Sequence, residues 1–227
     1  MKFTVHRSLA LRKTTLDRFR SELYGAKFIE VRQGKRQAIN GVPVEKVTTD
    51  IRSTYQKLTQ YISNYEKLKS AILTSNAGIT PETEVKKVTV AGKEYTMAEL
   101  IAASDEIYGN KKHKDALKAS LLQSMKSAYA TALRKVETQH EKVENEIRDY
   151  VSRAVSGDNK ALTTEDIQAR TKMFHEDKDY VLVDPLDLKK QIEELEAEIK
   201  RFTVECDATM SEQNALTTVE VDLTDLE

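Results

Sequence analysis

The stretch LKKQIEELEAEIKRFTVEC (188–206) decides how this chain is to be read. Leu188, Ile192, Leu195, Ile199, Phe202 and Cys206 recur at steps of 4, 3, 4, 3 and 4, and most of what lies between them is charged. Such spacing lays one narrow apolar seam along an α-helix, the pattern of a helix packed on other helices. The chain offers two partners. Ile51, Tyr55, Leu58, Ile62, Tyr65 and Ile72 repeat the spacing, as do Leu122, Met125, Tyr129, Leu133, Val136, Val143, Ile147 and Tyr150. Spacing alone leaves open whether the last helix pairs within the chain or with a second copy.

Outward from these seams, the pattern twice runs into Asn-Ala followed by valines alternating with polar residues, in SNAGITPETEVKKVTVAGKEYT (75–96) and NALTTVEVDL (214–223). Asparagine tolerates the left-handed conformation that ends helices, so both sites are predicted to turn a helix into a strand. A lone strand needs a sheet, and the C-terminal one is expected beside the hairpin near 85–95. The predicted elements are a helix over 5–24, a hairpin over 27–44, a helix over 46–74 and a hairpin over 84–95. A long helix over 97–156 follows, with a break near 109, then helices over 164–178 and 186–211 and a strand over 216–223. Thr4, Thr96 (with Glu99) and Thr163 or Thr164 are the expected caps. The first hairpin is read as two short runs around Gln33-Gly34-Lys35, followed by a tight turn at Asn40-Gly41. The fold class is α+β and predominantly helical: a single elongated domain built as an antiparallel helical bundle or coiled-coil stalk, with small antiparallel β-hairpins and a C-terminal strand.

Composition bounds function. The 36 basic and 37 acidic side chains nearly cancel, leaving a net charge of −1, so the basic excess that usually marks a nucleic-acid binder is missing. No segment approaches the length of a bilayer span. One cysteine, Cys206, excludes an internal disulfide and suits a reducing cytoplasm. On the seam it reads as a small buried hydrophobe rather than a nucleophile. No GxSxG, P-loop or CxxC pattern is present. His6, His113, His140 and His175 form no HxxxH or HExxH pair, and His175-Glu176-Asp177 would need distant help to hold an ion. The expectation is no catalytic residue, no metal and no cofactor.

Three basic clusters remain as candidate ligand contacts: Arg32, Lys35 and Arg36 at the first hairpin, Lys86, Lys87 and Lys93 at the second, and Lys111, Lys112 and Lys114, around His113, after the helix break. Arginine and lysine at loop tips grip phosphates, although a solvated face has the same composition. Tyr55, Tyr65 and Tyr129 fall on seams and are read as core.

TVHRSLA (4–10), INGVPVE (39–45), SNA (75–77), TVAGKEYTMAELI (89–101), VDPLDLKKQIEELE (183–196) and NALTTVEV (214–221), in that order across nearly the whole chain, resemble a family of small helical proteins encoded by bacteriophages and prophages of Gram-positive bacteria. The resemblance implies a phage setting and a non-enzymatic role, and brings no catalytic residues to carry over. Two readings follow. One is an accessory binding protein in the host cytoplasm, a homo-oligomer that sequesters a nucleotide immune signal or blocks a host defence protein. The other is a structural or assembly component of the virion tail or capsid.

Overall fold

The computed structural model describes residues 3–79, 85–110, 113–156, 163–216 and 218. The chain is a predominantly helical α+β protein, 73% helix. In order, the elements are α1 (Val5–Tyr24), β1 (Glu30–Gln33), β2 (Ala38–Ile39), β3 (Val42–Pro43), α2 (Val44–Asn76), β4 (Val88–Val90), β5 (Lys93–Tyr95), α3 (Met97–Ala103), a π-helical turn (Ser104–Tyr108), α4 (Leu117–Ser156), α5 (Thr164–Lys178), β6 (Tyr180–Val183) and α6 (Leu188–Leu216). Where the sequence reads as a single elongated domain, the residues divide into two compact units. The first comprises the described parts of Met1–Arg20, Gln60–Leu122 and Glu193–Glu227, the second those of Ser21–Thr59 and Gln123–Ile192.

In the first unit the seam residues Ile62, Tyr65, Ile72, Phe202 and Cys206 are buried together with Val90, Tyr95, Leu100, Ile107 and Leu121. Phe202 lies parallel to Tyr108, ring centroids 3.7 Å apart, and meets Tyr95 edge-on at 6.1 Å. The β4–β5 hairpin turns at Ala91-Gly92, both with positive φ, so an alanine occupies a conformation that glycine or asparagine usually fills. Thr96 caps α3 through a full capping box with Glu99. The predicted break is a π-helical turn that stops at Gly109, whose φ is 89°. A Cβ there would stand 3.0 Å from the His113 carbonyl oxygen and 3.3 Å from the Ala116 Cβ.

The second unit buries Phe28, Ile29, Ile39, Ile51, Leu58, Met125, Val143, Ile147, Leu188 and Ile192. Its sheet corrects the sequence reading. The chain turns at Gly34-Lys35, where the Arg36 N–H donates to the Gln33 carbonyl at 3.1 Å, but β1 is not paired with β2. It pairs antiparallel with β6, Glu30 opposite Val183 and Gln33 opposite Tyr180. The hairpin is confined to β2 and β3 around Asn40-Gly41. Two causes act together. The run YVLV of β6 is a better pleated partner than the two-residue β2. In addition the Gly34 N–H donates to the Asp179 carbonyl at 2.7 Å, which fastens the end of β1 to the β6 side.

The two Asn-Ala sites behave differently. After α2, Gly78 takes the left-handed conformation with φ 64°. Its N–H donates to the Ser75 carbonyl and that of Ile79 to the Thr74 carbonyl, the paired bonds of a Schellman stop. The stop therefore belongs to Gly78 and not to Asn76. At Asn214-Ala215 the next residue is Leu216, no glycine follows, and α6 runs through both residues. The expected exit is not there. Residue 218 is not in a strand and the rest of the strand predicted over 216–223 lies outside the described residues, as do Lys111, Lys112 and the Gly157-Asp158-Asn159 stop. The start predicted at 186 shifts to Leu188, because Asp187 is left-handed at φ 52° and the Asp184 carboxylate accepts from the N–H groups of Leu186 and Leu188. Thr4 and Thr163 cap α1 and α5. No helix among the described residues is long and apolar enough to cross a membrane.

Candidate functional site

The basic clusters are not equivalent once their partners are known. In the first unit, Lys87 pairs with Glu94 at 3.3 Å and Lys93 with Glu66 at 3.3 Å, while Lys86 and Lys114 are exposed. Lys93 borders a pocket of about 500 Å³ shared with Glu66, Lys69, Ser70, Tyr95 and Glu99. Apart from Lys67, which also lines it, the cations of that pocket are paired. Lys69 donates to Glu106 at 2.6 Å, Tyr65 donates to the same carboxylate at 2.7 Å, and Ser70 donates to Glu99. Burial pushes the Glu106 carboxyl up, but the bonds from Lys69 and Tyr65 outweigh it and hold the group below its ordinary value. Glu99 is likewise pushed up by burial and brought below its ordinary value by Ser70 and Thr96. Burial, reinforced by the bond to Glu106, drives the Tyr65 phenol far above its usual range. This arrangement holds charge inside the protein and offers little of it to a ligand.

In the second unit the first cluster separates. Lys35 donates to Glu176 at 2.6 Å, and this bond raises the Lys35 pKa and lowers that of Glu176. Arg32 and Arg36 lack such a carboxylate. The Arg32 guanidinium donates at 2.9 Å to the Gly34 carbonyl, which braces its fork without neutralising it. Both arginines line a pocket of about 380 Å³, along with Lys135 from α4, Asn40 from the β2–β3 turn and Tyr180 at the head of β6. Glu30 is the acid of that wall, and it is engaged by Lys27 at 2.6 Å. Among the described residues Arg32, Arg36 and Lys135 form no ion pair. The volume falls in the range of about 300–1,000 Å³ usual for small-molecule sites.

Lys135 and Tyr180 were not among the sequence candidates. Tyr180 had a signal, since it opens the apolar run YVLV; Lys135 sits in an ordinary charged stretch of α4 and had none. Sequence reasoning also missed a juxtaposition of histidines. His140 and His175, 35 positions apart in number, stack at 5.3 Å, and their Nδ1 atoms lie 3.2 and 2.9 Å from the same oxygen of Asp179. Cys206 is buried, which pushes its thiol up and away from nucleophilic chemistry.

No family model, curated protein or solved structure matches the chain.

Proposed function

We propose that this protein is a non-enzymatic binding protein that holds a phosphate-bearing small molecule of the nucleotide class in the pocket of its second unit and so sequesters it. One observation carries the reading: three cationic side chains, Arg32, Arg36 and Lys135, line one pocket and form no ion pair among the described residues, its one acid, Glu30, being engaged by Lys27. In a chain whose charges almost cancel, unpaired cations in a concavity are where an anionic ligand gains most. Arginine adds the planar fork that matches phosphate oxygens. Tyr180 supplies an aromatic surface beside them for a base.

The ordered segments that resemble phage proteins make the host cytoplasm during infection the proposed setting, with a nucleotide immune signal as the class of ligand and a homo-oligomer as the working form. The test is native mass spectrometry of protein purified from phage-challenged cells, followed by calorimetric titration of the nucleotide found. A nucleotide-sized adduct that disappears in Arg36→Glu/Lys135→Glu supports the proposal. Undiminished binding in that double variant, or a bare chain bound only to virion polypeptides, overturns it in favour of an assembly role.

A further inference from the structure

Two half-sites face each other where α4 meets the end of α5 in the second unit. On α4, His140 and Glu144 are four residues apart and share a helix face; His175 in the last turn of α5 and Asp179, its C-cap, repeat the spacing. One Asp179 oxygen, Oδ2, lies 3.2 Å from His140 Nδ1 and 2.9 Å from His175 Nδ1. Glu144 Oε1 lies on the opposite side of the rings, 3.3 Å from His175 Nε2 and 3.8 Å from His140 Nε2. The second Asp179 oxygen, Oδ1, is buried with no hydrogen-bond partner among the described residues.

Proton accounting shows what is missing. A neutral imidazole carries one N–H and one lone pair, yet each of these rings has a carboxylate oxygen near both nitrogens. If Nε2–H donates to Glu144, the Nδ1 lone pair points at an Asp179 oxygen that is also a lone-pair donor. If Nδ1–H donates to Asp179, the conflict moves to Glu144 for His175, at 3.3 Å, whereas His140, at 3.8 Å, lies beyond hydrogen-bond reach of it. A cation between the two Nδ1 atoms and Asp179 removes the conflict in a single step.

We propose that His140 Nδ1, His175 Nδ1 and an Asp179 carboxylate oxygen form a site for a divalent transition-metal ion of the zinc class, with Glu144 holding the rings from behind. The ligand atoms all lie within 4.8 Å of one another. A tetrahedral ion with bonds of about 2.0–2.1 Å needs them roughly 3.3 Å apart, a few tenths of an ångström from the present N–O separations. Nitrogen and carboxylate donors suit zinc or its near neighbours better than calcium or magnesium, which prefer all-oxygen shells. The Glu144 contact to Nε2 is the outer-shell carboxylate that metal-bound histidines commonly carry. His140 is 54% exposed, which leaves room for water to complete the coordination. The ion would tie α4 to the end of α5, directly before Tyr180 of β6. The inference does not depend on the anion pocket: metal binding here stands or falls with these four residues.

The experiment uses the full chain without an affinity tag, titrated with Co²⁺ and followed by visible d–d absorption, then with Zn²⁺ as competitor. The expected result is a tetrahedral Co²⁺ spectrum saturating at one equivalent per chain and bleached by Zn²⁺. His140→Ala, at an exposed position that leaves the helix intact by circular dichroism, is expected to lose the spectrum. Glu144→Gln is expected to weaken binding by about 10–100-fold, and His6→Ala/His113→Ala to leave it unchanged. Absence of a saturable spectrum in the native chain, or a spectrum that survives His140→Ala, overturns the proposal.

Discussion

Replacing Gly34 by alanine tests whether the β1–β6 pairing is built as described. Gly34 is buried with φ +50°, and a Cβ there would meet the backbone of the α5 end, 2.6 Å from the Glu176 carbonyl oxygen and 2.7 Å from the Asp177 carbonyl carbon. Those atoms are main chain, so no rotamer change relieves the clash. Gly41 is the matched control: its φ is +82°, but nothing lies within 4 Å of its Cβ position. Both substitutions incur the left-handed penalty of about 1–2 kcal/mol, and both gain about 0.4–1 kcal/mol from restricting the unfolded chain. These contributions largely cancel in the comparison. What remains is the overpacking at Gly34, about 1–3 kcal/mol, so Gly34→Ala should be the less stable variant by about 2 kcal/mol. At about 2–4 °C per kcal/mol for a chain of this size, the melting midpoints should differ by roughly 4–8 °C. Urea and thermal unfolding followed by circular dichroism measure this, and hydrogen exchange at the residue-34 amide, bonded to the Asp179 carbonyl, should accelerate in Gly34→Ala. Equal midpoints for the two variants would refute the reasoning, because only at Gly34 does the added Cβ meet the backbone of the α5 end.

Two further outcomes concern the first unit. Phe202→Ala removes a ring 1% exposed that is stacked on Tyr108 and edge-on to Tyr95; it should cost about 3–5 kcal/mol in denaturant titration, with Phe202→Leu losing distinctly less. Glu106 and Glu99 are both held below their ordinary values when folded. The unfolded chain therefore binds more protons, and stability is full above the unfolded glutamate value of about 4.3 and falls as pH drops through the depressed folded values. Glu106→Gln should flatten the acid limb of a midpoint-versus-pH curve, and parallel limbs for variant and parent would discard the assignment.

The helices were legible because their seams are long and regular. Of Ile51, Tyr55, Leu58, Ile62, Tyr65 and Ile72, read as one stripe, all are buried except the half-buried Tyr55, and the Thr96–Glu99 capping box is a local arrangement that needs no tertiary information. Strand pairing was less legible. β1 and β6 are separated by most of the chain, and a four-residue strand carries no mark of its partner. The local turn at Gly34 is present, but it seats the α5 end and leads into no pairing with β1. The contrast between the two Asn-Ala sites locates the useful signal one or two residues further on: Gly78 follows the first and Leu216 the second, and it is glycine that makes the left-handed stop inexpensive.

The sites were hidden for a related reason. A search for basic density picks out Lys35, Lys87 and Lys93, yet each of these meets a carboxylate, and Glu176 and Glu66 come from other elements of the fold. A cluster of lysines in the sequence therefore says little, and the informative residues are those whose surroundings fail to neutralise them. Arg32, Arg36 and Lys135 qualify only after β1, the β2–β3 turn and α4 have been brought around one pocket. The histidines follow the same logic in reverse. His140 with Glu144, and His175 with Asp179, are each an unremarkable pair at helical spacing. Only their opposition brings one Asp179 oxygen within reach of both Nδ1 atoms, and that juxtaposition arises from the fold rather than from any single stretch of sequence.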